Sequence, residues 1–184
     1  MSASLNELVS LLRLEPLGDD RFLGQSQDLG WGQVFGGQVL GQGLSAAVQT
    51  VHEARQVHSL QAYFLRPGDA AAPVRYDVDR IRDGGSFTTR RVVATQNEKS
   101  IFHLTASFQR IEEGFSHGAT MPNVPLPDEL PSELELWRRH AERLPPRLQV
   151  RVLAERPIEL RPVDPVDPFL PTVRPPQHAV WMRA

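Results

Sequence analysis

Apolar and polar residues alternate with a period of two over several stretches of the chain, but residues 35–51 repeat at helical spacing instead. Gln38, Gln42, Ser45, Gln49 and His52 form one narrow polar stripe there, and Val39, Leu40, Leu44, Ala47, Val48 and Val51 cover most of the remaining girth. The pattern predicts one long helix, apolar over more than half its circumference and therefore largely buried. Gly36, Gly37, Gly41 and Gly43 lie inside it, although a mid-helix glycine costs about 1 kcal/mol relative to alanine. Gly37, Gly41 and Ser45 are spaced four apart and leave one face nearly bare. A broad sheet packed closely on the helix would use such a face. The Gly36–Gly37 pair at the helix start leaves the first N–H groups open to a ligand. Packing alone is the other reading of these glycines.

The period-two stretches follow the helix. In residues 57–68, His58, Leu60, Ala62 and Phe64 share one face, and Ser59, Gln61 and Tyr63 the other. In residues 74–83, Val74, Tyr76 and Val78 alternate with Arg75, Asp77 and Asp79. The phase slips at Arg80 and Ile81, which predicts a bulge. Residues 83–86 (DGGS) read as a hairpin turn. A strand over 86–96 follows, then a turn at Asn97, Glu98 and Lys99. In the last strand Phe102, Leu104, Ala106 and Phe108 alternate with Ile101, His103, Thr105, Ser107 and Gln109. Each strand has about ten residues and so extends over 30 Å at roughly 3.3 Å per residue, further than the helix at about 1.5 Å per residue. Short turns make the last three antiparallel neighbours. The expected architecture is α+β, a long curved antiparallel sheet wrapped around one central helix.

Upstream, Ser4 to Glu7 fits a capping box, and Leu5, Leu8, Leu11 and Leu12 give a short amphipathic helix. Residues 14–17 and 21–25 flank Gly18, Asp19 and Asp20 as a hairpin. Gly30, Trp31 and Gly32 form a loop into the central helix. Downstream the composition changes. All 13 glycines lie at or before Gly118, and 13 of the 16 prolines at or after Pro122. The expected organisation is a compact domain over residues 1–113, a Pro-rich linker with a capped helix over 114–146, and the incomplete start of a second domain over 147–184. In that last part Leu148, Val150 and Val152 alternate as a strand, as do Ile158 and Leu160, and Pro162, Pro165, Pro168 and Pro171 recur at every third residue.

Charge and composition narrow the chemistry. A net charge of −2 calls for no nucleic-acid partner. The absence of cysteine excludes disulfides and a thiol nucleophile. No apolar run is long enough to span a bilayer, and no basic region precedes the first apolar residues, so a cytoplasmic location without membrane attachment is expected. Gly30, Gly32 and Gly36 imitate a dinucleotide-binding fingerprint, but strands joined by short turns follow them in place of alternating strands and helices. Gly43 to Ala47 misses a nucleophile elbow at its last residue, and Ser45 falls in mid-helix. The six histidines never pair at metal-ligand spacing, so no metal is expected. His58 reads as a hydrogen-bonded structural histidine or a binding residue. Arg90 and Arg91 point to opposite faces of a strand, where one is a candidate for a phosphate and solvation is the alternative.

Four segments in this order, GGQVLGQGLSAA (36–47), HSLQAYFLRPGD (58–69), YDVDRIRDGGSFTTRRVVATQ (76–96) and IFHLTASFQ (101–109), resemble the acyl-CoA thioesterase II family. The similarity continues through PIELRP and HAVWMRA. The resemblance implies the hotdog fold, two such domains in one chain, and hydrolysis of fatty acyl-CoA to free fatty acid and CoA. It implies no cofactor beyond the CoA of the substrate. In the family an aspartate, a threonine and a glutamine of the second domain activate the water, and these are expected beyond Ala184. At the corresponding helix start here stand Gly36 and Gly37, which offer no base, so this chain alone is expected to be inactive. Phe35, Gly36, Gly37 and Gln38 are the expected substrate contacts at the helix start, the glycines and Gln38 through N–H groups. His58, Phe64, Phe87 and Arg90 complete the expected binding set, with Phe35, Leu60, Phe64 and Phe87 as candidates for an acyl channel between the halves or for ordinary core. A homo-oligomer formed through hotdog surfaces is also expected.

Overall fold

The structure is a computed structural model in which residues 2–170 and 172–184 are described; Met1 and Pro171, the last of the evenly spaced prolines, lie outside them. The first element is helix α1 (Ala3–Leu11). Ser2, not Ser4, caps it: the Leu5 N–H donates to Ser2 Oγ at 3.2 Å, and Ser4 lies within the helix. The chain divides into two compact units, Val9–Phe115 and Met1–Leu8 with Ser116–Ala184.

The first unit contains β1 (Glu15–Gly18), β2 (Arg21–Gly24), α2 (Gly36–Val48), β3 (Arg55–Phe64), β4 (Val74–Asp83), β5 (Phe87–Gln96) and β6 (Lys99–Arg110). The strands form one sheet in the order β1-β2-β4-β5-β6-β3, with every neighbouring pair antiparallel. Asn97 (φ 46°) and Glu98 (φ 62°) both adopt left-handed backbone in the β5–β6 turn. That is the geometry whose twist matches the flanking strands. The β4–β5 register slips between Arg80 and Arg82, where the sequence pattern breaks phase. A second slip, between Val57 and Ser59, has no trace in the alternation. It makes His58 the extra residue of a bulge, so His58 does not share the face of Leu60 and Ala62.

α2 lies on the sheet and is shorter than its apolar pattern, ending at Val48. Val39, Ala46 and Ala47 pack into a core with Tyr76, Val92, Phe102, Leu104 and Phe108. Burial is one-sided: Val48 is exposed, and Leu40 and Leu44 are only half-buried. The glycines are distributed differently from the expectation. Gly43 faces the sheet, where an added Cβ would stand 3.0 Å from Leu104 Cδ2. Gly41 instead faces Leu12, whose Cδ2 would be 2.9 Å away, and Ser45 Oγ donates to the Leu12 carbonyl at 2.8 Å. The bare face therefore receives the segment before β1, not the sheet.

In the second unit, α3 (Glu133–Arg139) starts with a reciprocal capping box between Ser132 and Glu135. Residues 148–152, read from alternation as a strand, belong to helix α4 (Pro146–Val152). Proline at the first position fixes φ for a helix, and the Gln149 side chain donates to the Leu144 carbonyl at 2.8 Å. The alternation of Leu148, Val150 and Val152 buries none of them deeply; Val150 is 76% exposed. β7 (Glu159–Pro162) and β8 (Val180–Arg183) pair antiparallel. Arg161 donates to the carbonyls of Pro127 and Leu130, and Trp181 Nε1 to that of Pro125, strapping residues 125–130 to this ribbon.

Candidate functional site

The start of α2 is the place where backbone donors, glycines and exposed aromatic rings meet. Phe35 is the N-cap residue, with extended backbone and no side-chain cap. Its carbonyl accepts from the N–H groups of Gln38 (3.0 Å) and Val39 (3.3 Å). The N–H groups of Gly36 and Gly37 have no partner among the described residues. Phe35 and Phe64 are 59% and 60% exposed. Their rings lie where side chains at 36 and 37 would be. A Cβ on Gly36 would meet Phe64 Cε1 at 3.0 Å, and one on Gly37 would meet Phe35 Cε1 at 2.5 Å. The glycines thus admit two rings across the first helical turn, and Phe64 also packs its ring 5.0 Å from that of Phe102.

Gln38 takes a different part from the one expected. Its N–H is spent on the Phe35 carbonyl, and its side chain is buried. Gln38 Nε2 donates to the Gln25 carbonyl at 3.0 Å, and Oε1 accepts from the Gln27 N–H at 3.3 Å. One turn on, Gln42 Nε2 donates to the carbonyls of Leu11 (2.7 Å) and Gln25 (2.9 Å). Its Oε1 accepts from the Tyr76 hydroxyl at 2.8 Å. Burial pushes the Tyr76 phenol far up, so it stays a donor. The polar stripe of α2 therefore pins residues 25–27, the approach to the helix start. Asp28 Oδ1 accepts from the N–H groups of Gly30, Trp31 and Gly32 at 2.7–3.0 Å and shapes the loop. The sequence showed the glutamines at helical spacing but gave no sign of their carbonyl partners or of Tyr76, which lies 34 residues away.

The remaining expected residues lie elsewhere. His58 Nε2 is 2.8 Å from Ser107 Oγ, and its ring is 5.6 Å from that of Phe87. His58 is hydrogen-bonded but exposed, and it forms a pair with Phe87 apart from the Phe35–Phe64 pair. Leu60 packs partly against the core. Arg90 is 1% exposed, neither solvated nor free for a phosphate. Its Nε donates to Thr50 Oγ1, Nη1 to the carbonyls of Arg82 and Thr89, and Nη2 to Thr50 O and Asp83 Oδ1. With all five N–H donors engaged, none remains for a ligand. The hydrogen bond from Arg90 holds the Asp83 carboxyl below its usual range. Arg91 is exposed and paired with Asp79.

No carboxylate or imidazole occurs from Gln33 to Leu40 around the helix start. The helix start itself offers backbone donors and an apolar surround.

A long helix laid on a six-stranded antiparallel sheet is the arrangement of a hotdog domain. It matches the crystal structure of a hot dog fold protein of unknown function from Alicyclobacillus acidocaldarius (TM-score 0.74, 22% identity, 96% of this chain and 62% of that one). Residues 26–109 match the family model of the acyl-CoA thioesterase N-terminal domain. The whole chain is 46% identical over 183 residues to acyl-CoA thioesterase 2 of Haemophilus influenzae. It is similar to the crystal structure of the acyl-CoA thioesterase II TesB2 from Mycobacterium marinum, with a TM-score of 0.70, 38% identity and 96% of this chain covered. The chain is a homologue of the acyl-CoA thioesterase 2 proteins. It spans 64% of the length of the Haemophilus relative and 59% of the Mycobacterium chain.

Proposed function

We propose that the full-length protein hydrolyses fatty acyl-CoA thioesters to free fatty acid and CoA, and that residues 1–184 supply its non-catalytic N-terminal part. The observation that carries this reading is the 46% identity, over the whole chain, to a relative named acyl-CoA thioesterase 2. The helix start suits such a role. Attack of water on a thioester carbonyl passes through a tetrahedral oxyanion, and preorganised N–H donors aimed at it lower the barrier by about 3–4 kcal/mol. The unpartnered N–H groups of Gly36 and Gly37, beside the exposed rings of Phe35 and Phe64, support placement of a thioester or its acyl chain there.

Residues 147–184 start a second hotdog domain completed by chain beyond Ala184. The β7–β8 ribbon and the 64% coverage of the relative support this reading. The water-activating aspartate, threonine and glutamine belong to that continuation. The exposed edge strand β3 supports pairing with a second hotdog domain, in the same chain or in another copy. Lipid metabolism in the cytoplasm is the setting that goes with this reading. No described helix is long and apolar enough to cross a membrane.

The test is release of free thiol from a medium-chain acyl-CoA by the folded 184-residue chain and by the same chain extended in frame. Activity in the extended protein alone is expected. Turnover by the 184-residue chain would place the catalytic groups here and refute the division of roles. Saturable acyl-CoA binding with no turnover by either protein would favour a second reading, an acyl-CoA-binding scaffold.

A further inference from the structure

Three arginines, Arg55, Arg82 and Arg110, stand at the β4–β5 turn without an ion pair among the described residues. Arg55 opens β3 and stands directly opposite Arg110 of β6 in the ladder. Like charges in that position repel. Arg55 Nη2 donates to the carbonyls of Gly84 (2.6 Å) and Gly85 (3.0 Å), which fixes its guanidinium against the turn. Arg55 Nη1 is buried and has no hydrogen-bond partner among the described residues. Arg82 lies against the same glycine, with Nε 3.1 Å from the position a Gly84 Cβ would take. Arg110 is tied to the turn through its backbone, whose N–H donates to the Ser86 carbonyl at 3.1 Å.

Nearby carboxylates do not neutralise this group. Asp83 is taken by Arg90, Asp20 by Arg80 and Asp79 by Arg91. Among the described residues the side chains of Arg82 and Arg110 form no ion pair, and neither do Glu112 and Glu113, which follow in the chain. A buried donor without a partner in the chain is completed by water or a ligand, or is held so by the fold. Arginine forks match the oxygens of phosphate. Three of them suit a terminal monoester, which carries nearly two charges, better than a bridging phosphate with one.

We propose that Arg55, Arg82 and Arg110 form a phosphate-monoester site at the β4–β5 turn, and that its occupant is the 3′-phosphate of coenzyme A. The choice of coenzyme A rests on the thioesterase reading; the site itself rests on the arginines.

The test is calorimetric titration of the 184-residue chain with coenzyme A, 3′-dephospho-coenzyme A and inorganic phosphate. It is repeated on the Arg82→Gln/Arg110→Gln variant, whose lost side chains make no hydrogen bond among the described residues, with folding checked by circular dichroism. Coenzyme A is expected to bind at least ten-fold tighter than the dephospho form, and the variant to lose that preference. Equal binding of the two by the wild type would overturn the site while leaving the thioesterase reading intact. Phosphate binding lost in the variant, with no binding of coenzyme A, would support the site and count against the thioesterase reading. No binding of any of the three would overturn the site.

Discussion

The phenol of Tyr76 on β4 donates to Oε1 of Gln42 on α2 across 2.8 Å, with both side chains completely enclosed. Through Gln42 Nε2 the same link continues to the carbonyls of Leu11 and Gln25. The sheet, the helix and the approach to the helix start are held by one amide. Tyr76→Phe leaves Gln42 Oε1 buried without a donor and is expected to destabilise the domain by about 1–3 kcal/mol. Gly24→Ala should act on the same amide, since its Cβ would stand 2.7–2.9 Å from Gln42 Oε1, Cδ and Nε2. Urea denaturation of both variants checks this, and a loss below a few tenths of a kcal/mol in each would contradict the network.

Neighbouring Arg90 and Arg91 should differ sharply. Arg90→Met removes a buried cation whose five donors bind Thr50, Arg82, Thr89 and Asp83. Asp83 itself is 56% exposed, so the loss comes from the buried acceptors left unpaired and is expected to be about 1–3 kcal/mol. Arg91→Met removes only an exposed pair with Asp79 and should cost less than about 1 kcal/mol. Thermal denaturation of the two variants side by side measures the contrast.

Acid should weaken the domain through Asp20 and Asp83. The hydrogen bond from Arg80 lowers the Asp20 carboxyl, and that from Arg90 lowers Asp83, relative to the ordinary value of 3.8. Below that value the unfolded chain binds more protons than the native one, so stability rises with pH. The contribution is complete above the ordinary value and is lost as pH falls towards the depressed folded values. Partial exposure of both carboxylates keeps the effect modest. The melting temperature should fall between about pH 5 and pH 2, and fall less in the Asp20→Asn/Asp83→Asn variant. Identical acid profiles would rule these pairs out as the cause.

Gly37→Val is expected to lower acyl-CoA hydrolysis by the full-length protein at least ten-fold. The added side chain would run into the Phe35 ring, 2.5 Å from its Cβ, and crowd the Gly36 and Gly37 N–H groups. Pairing it with Phe35→Ala separates the two effects. If rescue by Phe35→Ala is complete, the ring alone was at fault; if activity stays low, access to the N–H groups matters. Wild-type thiol release by Gly37→Val itself would remove the helix start from the site.

Period and punctuation alone determined most of the fold. Helical spacing in residues 35–51, alternation in four strands and turn residues at 18–20, 83–86 and 97–99 act between near neighbours in the chain, so a linear reading reaches them. The bulge at Arg80 was legible because it broke a pattern; that at His58 was not, because serine and histidine on a half-exposed edge strand show no break. The helix α4 escaped because alternating leucine and valine suit a strand and only the preceding prolines argued otherwise. At the helix start the sequence located the glycines but not what fills their space, which comes from Phe35 and from Phe64 on another element. What only the tertiary structure decided is the fate of the polar groups. Burial of Arg90 depends on Thr50, 40 residues earlier, and that of Gln42 on Tyr76, 34 residues later. Hydrophobic pattern is a property of each residue and its neighbours, whereas satisfaction of a buried hydrogen bond belongs to two groups that only the folded chain brings together.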